Sequence, residues 1–330
     1  MSDVRKKIYT RSDQVVAIVC SDLHLSHEAP RNRAEKGANW YKAQAQSIYE
    51  LHITKKLYPD APILIAGDIF DKWNSPAELI NFALKELPDD IHAIPGQHDL
   101  PFHRHRLINK SAYWSLVESG KIENIDPSEN YYFKGLNLEV TAFPWNHKIR
   151  PYKEEENSPD NSIKLALIHK YIWNDTNKHP GASEEGKTSN LIESLKGYDV
   201  AVCGDNHRYF QENYDDLIIY NCGSFMKRTV EQKEYHTRQK SLARSTKNPQ
   251  IGLVTVKNKI LKLVPHAVES NEQWIETDDE EKTTYDFTDL VKSLKSGTTD
   301  RIDFKQILTD LANKEDQEVQ KIILEAMEES

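Results

Sequence analysis

Five short polar motifs between residues 22 and 207 carry the kinds of side chain that bind divalent metal ions. In order along the chain they are DLH, GDIFD, GQHD, a single histidine and GDNH. Their candidate ligands are Asp22, His24, Asp68, Gln97, His169, Asp205 and His207. Carboxylates, imidazoles and amide oxygens are the donors that such cations take in proteins. Each motif alone also fits a plain turn or a surface histidine, because Gly, Asp and Asn favour turns.

The chemistry that such a set would support is hydrolysis of a phosphoester by two metal ions. It needs a carboxylate between two cations about 4 Å apart, further ligands on each cation, and a polarised water in line with the phosphorus. Asp68 follows a glycine that lets the backbone turn, so its carboxylate is free to bridge two ions. A nearby histidine can protonate the leaving oxygen. The GQHD motif offers such an imidazole in His98, which the neighbouring Asp99 could orient.

Each motif directly follows a short apolar run that predicts a buried strand. The runs are 15–20, 61–66, 91–94, 163–168 and 199–203, and a sixth, 217–220, precedes the sequence NCGS. Segments of about 40–57 and 76–87 are predicted helices, the second with a proline at its first turn. Strands that alternate with helices predict an α/β sandwich. In such folds ligands bind at the carboxyl ends of the strands, so the five motifs should meet at one edge.

The chain has 330 residues, which is long for one domain, and its sequence predicts three regions. Residues 1–225 contain all five motifs. Residues 226–284 hold a basic segment, a hairpin at 250–266 and an acidic linker, and we interpret them as a small cap. Residues 285–330 contain amphipathic helix patterns and form a helical region.

Composition excludes several classes of protein. The chain is 38% hydrophobic and 29% charged, a soluble globular balance, without an apolar run near the roughly 20 residues that span a bilayer. We see no signal peptide, and the three cysteines suit a reducing compartment, so we expect a cytoplasmic protein with no membrane partner. A net charge of −9 argues against coating of nucleic acid by bulk charge. Residues 226–248 are a local exception, with seven Lys or Arg against two Glu.

The order D-x-H, G-D-x-x-D, G-x-H-D, H, G-x-x-H resembles that of the calcineurin-like metallophosphoesterases, over about residues 15–225. The resemblance implies a four-layer αββα sandwich and two divalent metal ions. It implies one metal held by Asp22, His24, Asp68 and His207, and a second held by Asp68, Gln97, His169 and Asp205. It also implies that His98 is the general acid, with Asp99 as its orienting partner.

Two positions depart from the usual pattern of that family. Gln97 stands where the third motif normally has Asn, and Asp205 stands where the fifth normally has His. Both replacements keep a ligand atom, but they raise the number of oxygen donors at the second metal. Oxygen-rich sites suit harder cations than Zn²⁺. We therefore expect Mn²⁺ to be the preferred ion, with Mg²⁺ as the other candidate.

Within the superfamily the chain is most similar to the SbcD-type DNA repair nucleases, particularly the compact versions of bacteriophages. The similarity lies in the sequences AIVCSDLHL, IPGQHDLP, CGDNHRYF and YNCGSFMKRT. It implies a metal-dependent exonuclease or endonuclease acting on DNA in recombination or repair, in the bacterial host cytoplasm. It also implies a homodimer whose C-terminal helices dock on the coiled coil of an SMC-like ATPase of the SbcC type.

Two other functions fit the same motifs. The first is a phosphatase or cyclic-nucleotide phosphodiesterase of the same fold. The second is a degenerate scaffold without activity, which the replacements at Gln97 and Asp205 suggest and which the retained Asp22, Asp68 and His98 argue against.

Overall fold

The computed structural model describes residues 14–154, 158, 161–176, 178, 181–229, 250–257, 260–268 and 272–275. They lie within the first of two compact units, Met1–Ile275. The basic segment beyond residue 229, the acidic linker from 276 and the predicted helices of 285–330 lie outside these residues. The predictions for those parts of the chain therefore stay predictions.

The described residues form twelve strands and four α-helices. The strands are β1 (Gln14–Cys20), β2 (Ile63–Ala66), β3 (Ile91–Ile94), β4 (Ile122–Asn124), β5 (Asn130–Phe133), β6 (Leu138–Phe143), β7 (Ile163–His169), β8 (Val200–Gly204), β9 (Phe210–Tyr214), β10 (Leu217–Asn221), β11 (Gln250–Lys257) and β12 (Ile260–Ala267). The helices are α1 (Ala38–Leu57), α2 (Ala77–Glu86), α3 (Ala112–Glu118) and α4 (Thr188–Leu191). None of these helices combines the length and the apolar character that crossing a bilayer requires.

The strands form two mixed six-stranded sheets. The first has the order β12-β11-β1-β2-β3-β4, and the second has the order β5-β6-β7-β8-β10-β9. The four strands β1 to β4 are parallel, and so are β6, β7, β8 and β10. Antiparallel strands lie only at the edges: the hairpin of β11 and β12 in the first sheet, and β5 and β9 in the second.

Three apolar layers hold the sheets and helices together. Alternate residues of a strand point to opposite faces, and β1 shows this directly. Val19 packs between the two sheets, in a cluster with Leu165 of β7, whereas Ile18 packs with Leu51 of α1 on the outer face. A third cluster covers the outer face of the second sheet and includes Leu191 of α4. The structure is thus the predicted α/β sandwich, with sheets inside and helices outside.

The predicted hairpin is present, but it does not form part of a separate cap. Strand β11 pairs with β1 along the first sheet, with Ile18 opposite Leu253. The boundary predicted after residue 225 therefore does not separate the hairpin from the sheet. The apolar pattern of residues 250–266 identified two strands, but such a pattern does not specify which edge they join.

The three cysteines are buried and free, as predicted. Cys20 and Cys203 lie at the ends of β1 and β8, and Cys222 follows β10. Burial raises the pKa of each thiol above its usual value. The thiols are therefore neutral apolar groups of the core and not nucleophiles.

Candidate metal centre

The carboxyl ends of strands from both sheets meet at one edge, and the predicted ligands lie there. Asp22 follows β1, and its backbone N–H donates to the carbonyl of Gly67 after β2 at 3.0 Å. The N–H of His24 donates to the carbonyl of Asp68, also at 3.0 Å. Asp205, which follows β8 of the second sheet, donates its N–H to both carboxylate oxygens of Asp22, at 3.2 and 3.1 Å. These hydrogen bonds, two between backbone groups and the others from a backbone N–H to a carboxylate, hold the three loops together.

Four of the candidate ligands have left-handed backbone conformations that favour glycine. Their φ angles are 53° at Asp22, 44° at His24, 54° at Asp68 and 79° at Asp205. Such conformations cost a non-glycine residue on the order of 1–3 kcal/mol and persist where the surroundings fix them, often at functional sites. The concentration of four such residues at one edge supports a functional role for this edge.

Two glycines make room for the buried side chains of the site. A Cβ atom on Gly67, whose φ is 89°, would lie 2.2 Å from Nδ1 of His169. A Cβ atom on Gly96 would lie 2.1 Å from Oδ1 of Asp68. Both distances are far below van der Waals contact, so any larger residue would displace a candidate ligand. This close approach explains why GD and GQHD begin with glycine.

The first predicted metal set is assembled around His24. One ligand atom each of Asp22, His24 and His207 lies within 4.8 Å of the others. Nε2 of His24 is 3.0 Å from Nε2 of His207 and 3.7 Å from Oδ2 of Asp68. The structure therefore brings together all four residues predicted for this metal.

The second predicted metal set is assembled around His169. Its Nε2 is 3.4 Å from Oδ2 of Asp68 and 2.6 Å from Oε1 of Gln97. The other amide atom of Gln97, Nε2, donates to Oδ1 of Asp205 at 2.7 Å. Asp22 joins Asp68 and His169 in a further group of closely spaced ligand atoms. Both Asp22 and Asp68 thus lie where the two sets adjoin.

The side chains of this edge fit a pair of cations. Within the described part of the chain, Oδ2 of Asp68 is buried and has no hydrogen-bond partner. Burial of a carboxylate oxygen that accepts no hydrogen bond is costly, and a bound cation removes that cost. At 3.0 Å, the nitrogens of His24 and His207 also need a proton or a metal ion between them, because two lone pairs would repel. The donor set therefore suits divalent metals.

Electrostatics give the same result. Burial favours a lower pKa for His24, but the carboxylates of Asp22 and Asp71 outweigh it and raise that pKa to about 9. Burial likewise opposes the charged form of His169, and Asp68 raises its pKa to about 10. Without metal ions, the carboxylates thus keep the imidazoles of His24 and His169 protonated. Bound metal ions would provide positive charge at the same place. Metal binding would release these protons, because a ligating imidazole is neutral.

His98 is held beside the metal ligands, but not by Asp99. Nδ1 of His98 lies 2.8 Å from the backbone carbonyl of Asp71, and its backbone N–H donates to Oδ1 of Asp68 at 2.9 Å. The fully buried carboxylate of Asp99 instead accepts three backbone N–H groups. They belong to Ile69, Phe70 and Gly96, at 3.2, 3.0 and 3.0 Å. The predicted orienting partner is therefore corrected: a carbonyl orients His98, and Asp99 shapes the loops.

The sequence between residues 16 and 209 matches the family model described as calcineurin-like phosphoesterase, over more than half of the chain. The chain belongs to this family. Members of the family are metal-dependent hydrolases of phosphoesters, which accords with the ligands that meet at the sheet edge. The phosphoesterase has no match among curated proteins.

Two solved structures resemble the phosphoesterase. One is a Staphylococcus aureus protein described as a 5'-nucleotidase, in complex with α-ketoglutarate; it is 12% identical, with a TM-score of 0.41, covering 86% of this chain and 58% of that one. The other is the Thermus thermophilus sulfate thiohydrolase SoxB, 10% identical, with a TM-score of 0.41, covering 80% of this chain and 59% of that one. The phosphoesterase thus spans less than two-thirds of either chain. At this identity the likeness concerns the fold alone.

Two further residues of the phosphoesterase site had no predicted role. Oδ1 of Asp71, the second aspartate of GDIFD, is 3.5 Å from Nδ1 of His24 and 2.6 Å from Nη1 of Arg228. These charged neighbours outweigh the effect of burial and hold the pKa of Asp71 well below its usual range. Asp71 therefore supports His24 with its side chain and His98 with its carbonyl. The motif itself signalled Asp71, whereas nothing in the sequence signalled the contact with Arg228.

Replacing Asp99 by asparagine tests the corrected role. An amide offers one acceptor oxygen, and its NH₂ group would face a backbone donor, so at least one buried N–H loses its partner. We expect the free energy of unfolding to fall by about 1–3 kcal/mol in denaturant titrations. Asp89→Asn, at an exposed ion pair with Lys121, is the matched control and should change little. Unchanged stability together with a large loss of turnover would restore Asp99 as the partner of His98.

The oxygen-rich second set leads to a prediction about the metal. Asp68, Gln97 and Asp205 supply oxygen donors there, so we expect the highest activity with Mn²⁺ in a panel of divalent ions, and poor activity with Ca²⁺. The variant Asp205→His replaces one oxygen donor by nitrogen and should move the preference towards Zn²⁺. Clear superiority of Zn²⁺ with the unaltered protein would contradict the prediction.

Proposed function

We propose that this phosphoesterase hydrolyses phosphodiester bonds of DNA with two divalent metal ions. The observation that supports the choice of DNA is a set of lysines and arginines that lie close in sequence to the site motifs, in a chain whose net charge is −9. Lys72, Arg104, Arg106 and Arg208 each lie within seven residues of the end of a motif, and the first three are exposed. Contacts of lysine and arginine with phosphates supply most of the sequence-independent affinity for nucleic acid.

The residues of the centre would share the work of hydrolysis. When bound, the metal ions would neutralise phosphoryl oxygens and lower the pKa of the attacking water. His98 donates a proton to the leaving oxygen. Its Nδ1 faces the carbonyl of Asp71, so Nδ1 carries a hydrogen and Nε2 is the nitrogen that exchanges a proton with the substrate. Arg228 and Asp71 keep this arrangement in place.

A phosphatase or cyclic-nucleotide phosphodiesterase is the second candidate. The family assignment extends to phosphoester hydrolysis and no further, so it supports this candidate more directly than it supports a nuclease. The nuclease proposal adds to the family assignment the resemblance of four sequence blocks and the lysines and arginines close in sequence to the motifs. The two candidates differ in the ester that is cleaved fastest.

A comparison of substrates separates these candidates. The purified protein with Mn²⁺ is offered end-labelled single-stranded and duplex DNA, a cyclic nucleotide and p-nitrophenyl phosphate. We expect release of nucleotides from DNA, and far slower release at the same Mn²⁺ concentration from the Asp68→Asn variant, which controls for contaminating nucleases. Hydrolysis of the small esters with intact DNA would overturn the nuclease in favour of the second candidate. Absence of all hydrolysis and of bound metal would indicate a degenerate scaffold.

The proposal includes a partner for the C-terminal region. By resemblance, residues 285–330 would bind the coiled coil of an SMC-like ATPase, and the nuclease would act as a homodimer. We predict that removing these residues leaves Mn²⁺-dependent cleavage of short DNA intact, but abolishes association with the ATPase and stimulation by ATP. Co-purification and nuclease assays of both forms provide the test. A truncated protein that is insoluble or has lost its metals would show that the helices belong to the nuclease core.

A further inference from the structure

Phe102 is an aromatic residue exposed beside the metal centre. It lies four residues after His98, and 68% of its surface is exposed, more than for any other large hydrophobic residue of the described chain. Its backbone is left-handed, with φ 52°, and His103 follows with φ 56°. Two successive non-glycine residues in this conformation are strained. Core packing does not explain the strain, because the ring of Phe102 lies at the surface.

Several contacts hold the loop of Phe102 in this conformation. Nδ1 of His103 is 3.1 Å from the carbonyl of Gln97, a candidate metal ligand. On the other side, Nε2 of His105 is 2.5 Å from the carbonyl of Trp145, whose ring centroid lies 6.4 Å from that of His169. The loop is thus hydrogen-bonded to a candidate metal ligand, Gln97, and to Trp145 beside His169.

The ring of Phe102 packs against a second aromatic side chain. Its centroid is 5.4 Å from that of half-buried Trp73, at an interplanar angle of 48°. Trp73 follows two residues after Asp71, whose carbonyl holds His98. Four residues of chain span at most about 14 Å, so the backbone of Phe102 lies within the length of a nucleotide or two from that of His98. The two residues form an aromatic surface, and each lies a few residues from a residue of the site, Phe102 from His98 and Trp73 from Asp71.

We propose that Phe102 and Trp73 form a platform on which a nucleobase adjoining the scissile phosphate stacks. This inference rests on the proposed nuclease function and specifies how that site positions its substrate. Bases stack on exposed aromatic side chains without regard to sequence, since every base has a π-face. Arg104 and Arg106 are exposed in the same loop and would contact neighbouring phosphates. Stacking of one base would fix the register of the strand, and so the bond that is cut.

The test compares DNA with and without a base at the platform. Single-stranded oligonucleotides carry one abasic residue at successive positions beside the scissile bond. With intact DNA, Phe102→Ala should lower kcat/KM by about 5- to 150-fold, the range that stacking on one aromatic side chain provides. With the abasic residue at the platform, wild type should already be slow and the variant should add little. Phe102→Tyr should keep the activity, and Tyr49→Ala, at another exposed aromatic residue, should leave it unchanged.

A second variant separates the ring from the backbone. Phe102→Gly removes the ring but tolerates the positive φ, so its melting temperature should be no lower than that of the alanine variant. Its kcat/KM on intact DNA should fall as for alanine. Equal losses on intact and abasic DNA, or no loss on either, would overturn the platform. If small phosphate esters are hydrolysed and DNA is not, the nuclease proposal has failed. The platform is then tested with a deoxynucleoside monophosphate and with deoxyribose phosphate, which lacks the base. Phe102→Ala should slow hydrolysis of the first and leave hydrolysis of the second unchanged; equal losses on both, or no loss on either, would overturn the platform.

Discussion

Replacing His98 by alanine is expected to lower the turnover of a phosphoester substrate by about 10²–10⁴-fold, the usual contribution of a general acid, while both metal ions stay bound. The variant removes the imidazole but keeps the backbone N–H that donates to Asp68. The Asp71 carbonyl loses its contact with the ring. The metal ligands of the two assembled sets are untouched.

Metal content and turnover must be measured on the same preparation of this variant. Elemental analysis should count as many ions per chain as in the unaltered protein, and His266→Ala on β12 serves as the matched control. The structure also shows how His98 could instead be a metal ligand. His98, His24 and Asp71 have ligand atoms within 4.8 Å of one another. Loss of an ion from His98→Ala would therefore make His98 a ligand, and the role of proton donor would pass to another group.

Replacing Asp68 by asparagine is expected to weaken both metal ions together. Oδ2 of Asp68 lies 3.7 Å from Nε2 of His24 in one set and 3.4 Å from Nε2 of His169 in the other. Asparagine keeps the size and an oxygen that can accept the N–H of His98, but it loses the negative charge. We expect affinity for each ion to fall by at least about 10²-fold, which exceeds the usual cost of losing an outer-shell partner.

Calorimetric titration of the metal-free protein with Mn²⁺ measures both affinities, with Asp216→Asn at the surface as the control. Activity at fixed Mn²⁺ should fall with the affinities and recover in part at high Mn²⁺. Loss of one ion alone would contradict a bridging Asp68. Asp22, which adjoins both sets, would then be the residue to replace next.

The parts of the fold that the sequence predicted are those governed by local patterns. The helix predicted at about 40–57 is Ala38–Leu57, and the one predicted at 76–87 is Ala77–Glu86. The short apolar runs are strands in the structure, and those such as β2 and β7 are buried at every residue because both faces of the sheet are covered. The polar motifs meet at one edge because parallel strands place their carboxyl ends on the same side of a sheet. This follows from strand direction and can be predicted without knowing any contact between the motifs.

The missed and wrong predictions concern which side chains and carbonyls contact one another. Asp71 and Arg228 are 157 positions apart, and no local pattern links them. The neighbouring positions of His98 and Asp99 suggested a pair, but consecutive side chains diverge, and Asp99 turned inward to the amides of the loops. Backbone carbonyls such as that of Asp71 are present at every position, so sequence alone does not indicate which one holds an imidazole.

The place of β11 in the first sheet also affects how the protein is made. The ligands are all synthesised by residue 207, but β1, which precedes Asp22, obtains its second neighbour only with residues 250–257. Until then a nascent chain holds every metal ligand on a sheet with an open edge, which invites pairing with other chains. Contacts between residues so distant in sequence also form slowly. Synthesis of residues 250–257 therefore precedes a complete first sheet, and a product that ends between residues 207 and 250 would carry all five motifs without the second neighbour of β1.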